Sequence, residues 1–167
     1  VQAYTLPISS GSTPAFSFVS NSVVSIGFDA NSDALVGDNA GHLQFFSAPQ
    51  SASSTPSVTF NNGSATNNGQ IVFNAAGQAF VGTVGSSVNI FTPPFTSSST
   101  PSTVVSGGLV SAIGTALDNL GNLYVSNSGT GVGTSSNLEV FASPYTGAPA
   151  VTTPNQAATA YRKMAGS

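Results

Sequence analysis

Short hydrophobic runs alternate along the whole chain with turns rich in Gly, Asn, Asp, Ser and Pro. Within the runs, apolar and polar positions alternate with a period of two, as in Leu43-Gln44-Phe45. This alternation predicts β-strands with one face buried better than the other. Because no segment keeps a helical period over about twelve residues, the pattern predicts an all-β chain.

The runs recur with a period of about 45 residues, which indicates a repeat architecture. Residues 117–126 align without gaps with residues 28–37 and 73–82. Each unit contains four short strand candidates, and four strands in about 45 residues is the pattern of a β-propeller blade. The sequence therefore predicts a β-propeller of four-stranded antiparallel blades, three complete and a fourth partial.

The repeat also sets the predicted boundaries. Residues 1–20 supply the last two strands of a blade, residues 21–63, 64–108 and 109–154 form one blade each, and residues 155–167 form a partial strand or a tail. Such an arc leaves strand edges and a hydrophobic face open. One chain can close as a four-bladed ring, several copies can complete the missing strands between chains, or the chain is a piece of a longer propeller. We expect completion between chains.

Residues 117–127, which read LDNLGNLYVSN, resemble the NHL-type β-propeller repeat in its extracellular bacterial form. The second unit keeps the spacing with Gly77 but has Asn74 in place of Asp118, and the first has Ser32 at the position of the turn glycine. The resemblance implies a propeller fold without a particular activity, since such repeats host unrelated functions. Similar propellers include calcium-dependent lactonases and lyases, but their clusters of acids and histidines have no counterpart here.

The composition points away from a cytosolic protein. Charged residues make up 4% and hydrophobic residues 40% of the chain, whereas typical soluble domains have about 25% charged residues. A surface of Ser, Thr, Asn, Gln and Gly is typical of secreted or adhesive proteins, so we expect an extracellular or cell-surface location. A net charge of −3 favours self-association. With Arg162 and Lys163 as the only basic residues, no nucleic-acid partner is predicted, and neither is membrane insertion.

Polar residues at the ends of the second strands are the candidate ligand-binding positions. Asp38, Thr83 and Asn127 are equivalent in the repeat, and Tyr124 lies on the same strand as Asn127. In a propeller, such residues rim one end of the central channel, where they would hold a sugar or another small polar ligand. In the alternative interpretation, they satisfy backbone groups of the next loop.

The remaining titratable residues predict neither a metal site nor a cofactor. Asp29 and Asp118 are expected to cap the turns between the first and second strands with their side chains. His42, the only histidine, is expected on a solvated loop before the third strand, and a zinc site needs three or four ligands. Asn62 opens an N-glycosylation sequon.

These observations predict a secreted, non-enzymatic propeller module with a structural, self-assembling or adhesive role. The alternative is a propeller that binds carbohydrate or a small polar ligand at its channel rim. A lyase or lactonase ranks third, because titratable groups are few.

Overall fold

The computed structural model describes residues 1–18, 20, 22–64, 67–129 and 136–154. These residues form fourteen β-strands and no helix. They therefore contain no helix that could cross a membrane. The strands make four antiparallel sheets. The prediction of an all-β fold is therefore confirmed, while the predicted tail at 155–167 lies outside the described residues.

In each sheet, strands that follow one another in sequence also pair with one another. Sheet A contains β1 (Gln2–Ala3) and β2 (Phe16–Ser17). Sheet B contains β3 (Val23–Phe28), β4 (Ala34–Asp38), β5 (His42–Phe46) and β6 (Val58–Asn61). Sheet C contains β7 (Asn68–Phe73), β8 (Ala79–Thr83), β9 (Val88–Phe91) and β10 (Thr103–Val105). Sheet D contains β11 (Ala112–Leu117), β12 (Leu123–Asn127), β13 (Asn137–Phe141) and β14 (Val151–Pro154).

The three four-stranded sheets repeat one register. The first residue of each second strand lies opposite the last residue of the third strand, in the pairs Ala34 with Phe46, Ala79 with Phe91 and Leu123 with Phe141. Because side chains alternate between the two faces of a strand, this shared register places equivalent residues on the same face of every sheet.

Hydrophobic packing joins the sheets face to face in chain order. Three buried clusters connect A to B, B to C and C to D. One pair of aromatic rings marks each contact, with centroids 4.8, 5.2 and 5.3 Å apart: Phe18 with Phe46, Phe60 with Phe91, and Phe80 with Tyr145. Since full burial of one Phe side chain contributes about 1.5–3 kcal/mol, these contacts stabilise the packing between sheets.

The polar positions on the third strands are more deeply buried than the alternation predicted. Gln44 is 8% and Glu139 2% exposed, whereas Leu138 beside Glu139 is 38% exposed. In sheet D the polar position is therefore the more buried one, and in both sheets these side chains find hydrogen-bond partners within the fold. The Ser20 hydroxyl donates to Gln44 at 2.7 Å, and the Thr152 hydroxyl donates to Glu139 at 2.6 Å.

Neighbouring sheets also approach closely through backbone at their first strands, where β3 lies beside β7 and β7 beside β11. A Cβ atom on Gly69 would lie 2.6 Å from the carbonyl oxygen of Ile113 and 2.8 Å from that of Ala112. A Cβ atom on Gly27 would lie 2.7 Å from the carbonyl oxygen of Ile71. Glycine is needed at both positions because any side chain would clash with the backbone of the next sheet.

We expect Gly69→Ala to lower the free energy of unfolding by about 1–3 kcal/mol, the usual cost of forcing an extra methyl group into a packed site. The matched control is Gly11→Ala, because a Cβ atom there would have no atom within 4 Å. Urea unfolding followed by circular dichroism measures both variants. Equal stabilities for the two variants would contradict the close approach of β7 and β11.

Candidate functional site

Asp38 ends β4 and is 4% exposed. Its Oδ1 accepts hydrogen bonds from the backbone N–H groups of Ala40 and His42, at 2.9 and 2.8 Å. Its Oδ2 lies 2.8 Å from the Nδ1 of His42. Both carboxylate oxygens thus bind residues of the turn that follows Asp38, and they stabilise the β4–β5 connection.

Thr83 takes the equivalent place at the end of β8 and is fully buried. Its hydroxyl donates to the carbonyl oxygen of Ser87 at 2.9 Å and lies 3.2 Å from the Ser87 hydroxyl. A hydroxyl here replaces the carboxylate of Asp38 and again binds within the following turn. Sheets B and C therefore keep the capping role of this position while its chemistry changes.

Asn127, at the end of β12, holds the linker that enters sheet D. Its amide nitrogen donates to the carbonyl oxygen of Gly108 at 3.1 Å and to Oδ1 of Asn137 at 2.9 Å. Its Oδ1 accepts from the N–H groups of Val110 and Ser111, at 2.8 and 3.1 Å. Four hydrogen bonds use the whole side-chain amide.

Tyr124 is not brought together with the other three candidates. It precedes Asn127 by three positions on β12, which corresponds to about 10 Å along a strand. Its hydroxyl donates to Oδ2 of Asp118 at 3.2 Å, at the β11–β12 turn. The Tyr124 hydroxyl therefore lies at the opposite end of sheet D from Asn127, where it binds the β11–β12 turn.

The turns between first and second strands are capped as expected. The side-chain Oδ1 of Asp29, Asn74 and Asp118 each accepts two backbone N–H groups of its own turn. Gly77 and Gly121 have φ values of 76° and 80°, and Ser32 takes the same place with a φ of 67°. The predicted capping role is confirmed, and these carboxylates act in the turns themselves.

Hydrogen bonds lower the pKa values of two capping carboxylates, Asp38 and Asp118. Burial raises the pKa of Asp38, but the backbone and ring hydrogen bonds from His42 outweigh burial, so the pKa lies below its ordinary value. The Asn122 side chain lowers the pKa of Asp118, assisted by N–H donors of the same turn. The nearby Asp118 in turn raises the pKa of Tyr124.

His42 differs from the expectation of a loop residue. It is the first residue of β5, and its ring is about half exposed while it contacts Asp38. Within the described ranges, no three side chains of the kind that ligate metals lie together. His42 and Asp38 form a pair that positions a turn.

Asn62 lies in the linker between sheets B and C and is fully buried. The amide nitrogen that would carry a glycan donates to Oδ1 of Asn68 at 3.0 Å. Asn68 continues this chain of hydrogen bonds to the carbonyl oxygens of Asp38 and His42, at 2.8 and 2.9 Å. Asn62 in the linker and Asn68 at the start of β7 therefore join sheet B to sheet C.

A second set of buried polar residues, which was not predicted as a candidate site, lies on the third strands. Asn89 is 1% exposed and donates through Nδ2 to the carbonyl oxygen of Asn62, in the linker that precedes its own sheet. Gln44 and Glu139 occupy the same register position in sheets B and D. The signal was present in the sequence, since each repeat carries an amide or a carboxylate here between two apolar residues.

Two grooves among the described residues lie between neighbouring sheets. One has a volume of about 470 Å³ and is lined by the first strands of sheets B, C and D, including Ser25 and Gln70. The other, of about 480 Å³, lies between the turns of sheets B and C and combines Asp29 and Asp33 with the apolar Phe45 and Phe95. Both volumes suit a small ligand, but the four predicted rim residues line neither groove.

A scan against protein-family models finds no match to this chain, and neither does a search of curated proteins.

We expect Asp38→Asn to lower the free energy of unfolding by about 1–3 kcal/mol at neutral pH, because hydrogen bonds to an ionised acceptor are lost. The folded-state pKa of Asp38 is depressed. Its ionised form therefore stabilises the fold above the ordinary Asp pKa of about 4, and this contribution disappears as pH falls through the folded-state value. The gap between wild type and variant should shrink in urea unfolding experiments below about pH 4.

Asp29→Asn is the matched control for this experiment. Asn74 makes the same pair of turn hydrogen bonds at the equivalent place, so we expect a change within about 0.5 kcal/mol. If both variants lost the same stability, or if the Asp38→Asn gap stayed constant down to about pH 2, the role given to the Asp38 carboxylate would be wrong.

Proposed function

We propose that this chain is a β-propeller repeat module with an extracellular, non-enzymatic, structural role, and that its copies associate to complete partial blades. Sheets B, C and D are four-stranded antiparallel meanders, the pattern of a propeller blade. Between sheets B and C and between sheets C and D, the backbone contacts involve the first and second strands. This geometry supports sheets that radiate from a shared axis.

The observation that carries the proposal is that sheet A, within the described residues, has two strands. Ala3 pairs with Phe16, and Phe45 pairs with Val58 at the corresponding place in sheet B. By this correspondence β1 and β2 are third and fourth strands, and β1 presents an edge on which a second strand would pair. An unpaired strand edge is a template for another chain.

The composition supports a second copy as the source of the missing strands. A net charge of −3 with 4% charged residues gives little long-range repulsion between copies. The contact would join different surfaces of the two copies, and such heterologous contacts produce rings when they close and filaments when they do not. Both outcomes suit a structural or adhesive protein.

The non-enzymatic role is supported by how the few titratable side chains are used. General acid–base catalysis needs a group that exchanges a proton with the substrate. Asp38 and His42 bind one another, and Asp118 caps its turn. Carbohydrate binding at Asp38, Thr83 and Asn127 stays the alternative prediction, although their hydrogen bonds to neighbouring turns and linkers favour the structural interpretation.

Sedimentation equilibrium over a range of protein concentrations tests the proposal. We expect a molar mass that rises from 16.5 kDa to multiples of that value. Because the contact is apolar and backbone-mediated, raising the salt concentration from about 0.05 to 0.5 M should leave it intact. A mass of 16.5 kDa at every concentration would contradict self-association.

A further inference from the structure

The face of sheet D that points away from sheet C is partly uncovered. We call Leu138, Val140 and Val151 the open face of sheet D. Leu138 is 38% and Val151 50% exposed, and Val140 is half-buried. At the position of Leu138, Leu43 in sheet B and Val88 in sheet C are fully buried, because in both cases the next sheet covers them.

The beginning of the chain carries a second uncovered apolar surface. Tyr4 takes the register position of a buried Phe in every other sheet: Phe46, Phe91 and Phe141. Tyr4 itself is 41% exposed, and Ile8, four residues further on, is 62% exposed. We call Tyr4 and Ile8 the leading surface of sheet A.

The two positions equivalent to Ile8 in sheets C and D show what such a residue does when a preceding sheet is present. Phe95 of sheet C packs on sheet B, with ring centroids 5.4 Å from Phe45 and 5.6 Å from Phe60. Tyr145 of sheet D packs on Phe80 of sheet C at 5.3 Å. In both cases, the residue after the proline of the third-to-fourth-strand linker inserts into the sheet before its own.

We infer that the open face of sheet D binds the leading surface of sheet A from a second copy of this chain. This inference rests on the proposed self-association and names the surfaces that carry it. Ile8 of the second copy would insert beside Val140 as Phe95 inserts beside Phe45, and Tyr4 would cover the outer strands β13 and β14. The contact continues the sheet-on-sheet interface that the chain already forms between B and C and between C and D.

The shared register of the sheets favours a second copy over an unrelated partner as the occupant of the open face. An unrelated partner would have to match an apolar face whose spacing is set by the repeat. The leading surface of sheet A has this spacing, because Tyr4 and Ile8 occupy the repeat positions of Phe91 and Phe95, which pack on the preceding sheet. The contact is also heterologous, because two different surfaces meet. This property distinguishes it from a symmetric face-to-face dimer and makes it testable by mixing variants.

Two blocked variants and one control test the inference by sedimentation equilibrium. The first variant, Leu138→Lys with Val151→Lys, blocks the open face, and the second, Tyr4→Lys with Ile8→Lys, blocks the leading surface. The control is Val104→Lys, because Val104 is 55% exposed on sheet C, which has a neighbour on each side. Since all substituted residues except Val104 belong to the two proposed surfaces and all are solvent-accessible, circular dichroism should show a wild-type fold for every variant.

We expect the control to associate like the wild type and each blocked variant alone to remain at 16.5 kDa. An equimolar mixture of the two blocked variants should form a dimer of twice that mass, because each supplies the surface that the other lacks. If the wild type associates and the blocked variants do so too, the assigned surfaces are wrong while self-association stands. If the mixture stays monomeric, the head-to-tail contact is overturned, and a monomeric wild type would overturn both proposals.

Discussion

Face-to-face packing of successive sheets is the interaction on which the rest of this structure depends. A four-stranded sheet buries apolar residues on both faces when a sheet lies on each side, as for sheets B and C. The glycines of the first strands let the backbones approach closely. Aromatic residues of the third strands, the fourth strands and the linkers between them pack the sheets together. Sheets A and D lie at the ends of the series, so the exposed apolar residues there result from the same requirement.

Buried polar residues support this packing because they bind the linkers between sheets. Asn89 binds the linker that precedes its sheet, and Asn127 binds the linker that enters sheet D. A buried amide that lost its partners would cost about 1–3 kcal/mol, so these hydrogen bonds fix how each linker meets the next sheet. Asp38, Thr83 and Asn127, the candidate ligand-binding residues, likewise form hydrogen bonds to turns or linkers.

Much of the fold could be predicted because short sequence patterns mark the turns and strands of each repeat. Turn residues such as Asp118 and Gly121 carry their own backbone geometry, and the period-two alternation marks the strands. Ser32 was visible as a departure from the pattern, and the structure keeps the left-handed backbone there without glycine. The all-β class and the turn caps can therefore be reached by residue-by-residue reasoning.

The candidate site could not be predicted in the same way. Whether Asp38 faces a ligand or its own turn depends on the path of the β4–β5 connection, which hydropathy does not encode. The burial of Glu139 depends on a neighbouring sheet and on Thr152, thirteen positions away. The exposure of Leu138 depends on whether a further sheet covers sheet D, so equivalent positions in the repeat differ in burial although their sequences agree.

Amide hydrogen exchange at the outer edge of β1, followed by NMR, tests most directly whether another copy of the chain completes sheet A. Val1 donates a hydrogen bond to the carbonyl oxygen of Phe18, the residue that follows β2. Because successive amides in an antiparallel strand point in opposite directions, those of Gln2 and Tyr4 point to the open edge of β1. The account predicts that exchange at these two amides slows as protein concentration rises, because another copy supplies the missing strand. Exchange that is independent of concentration would contradict it.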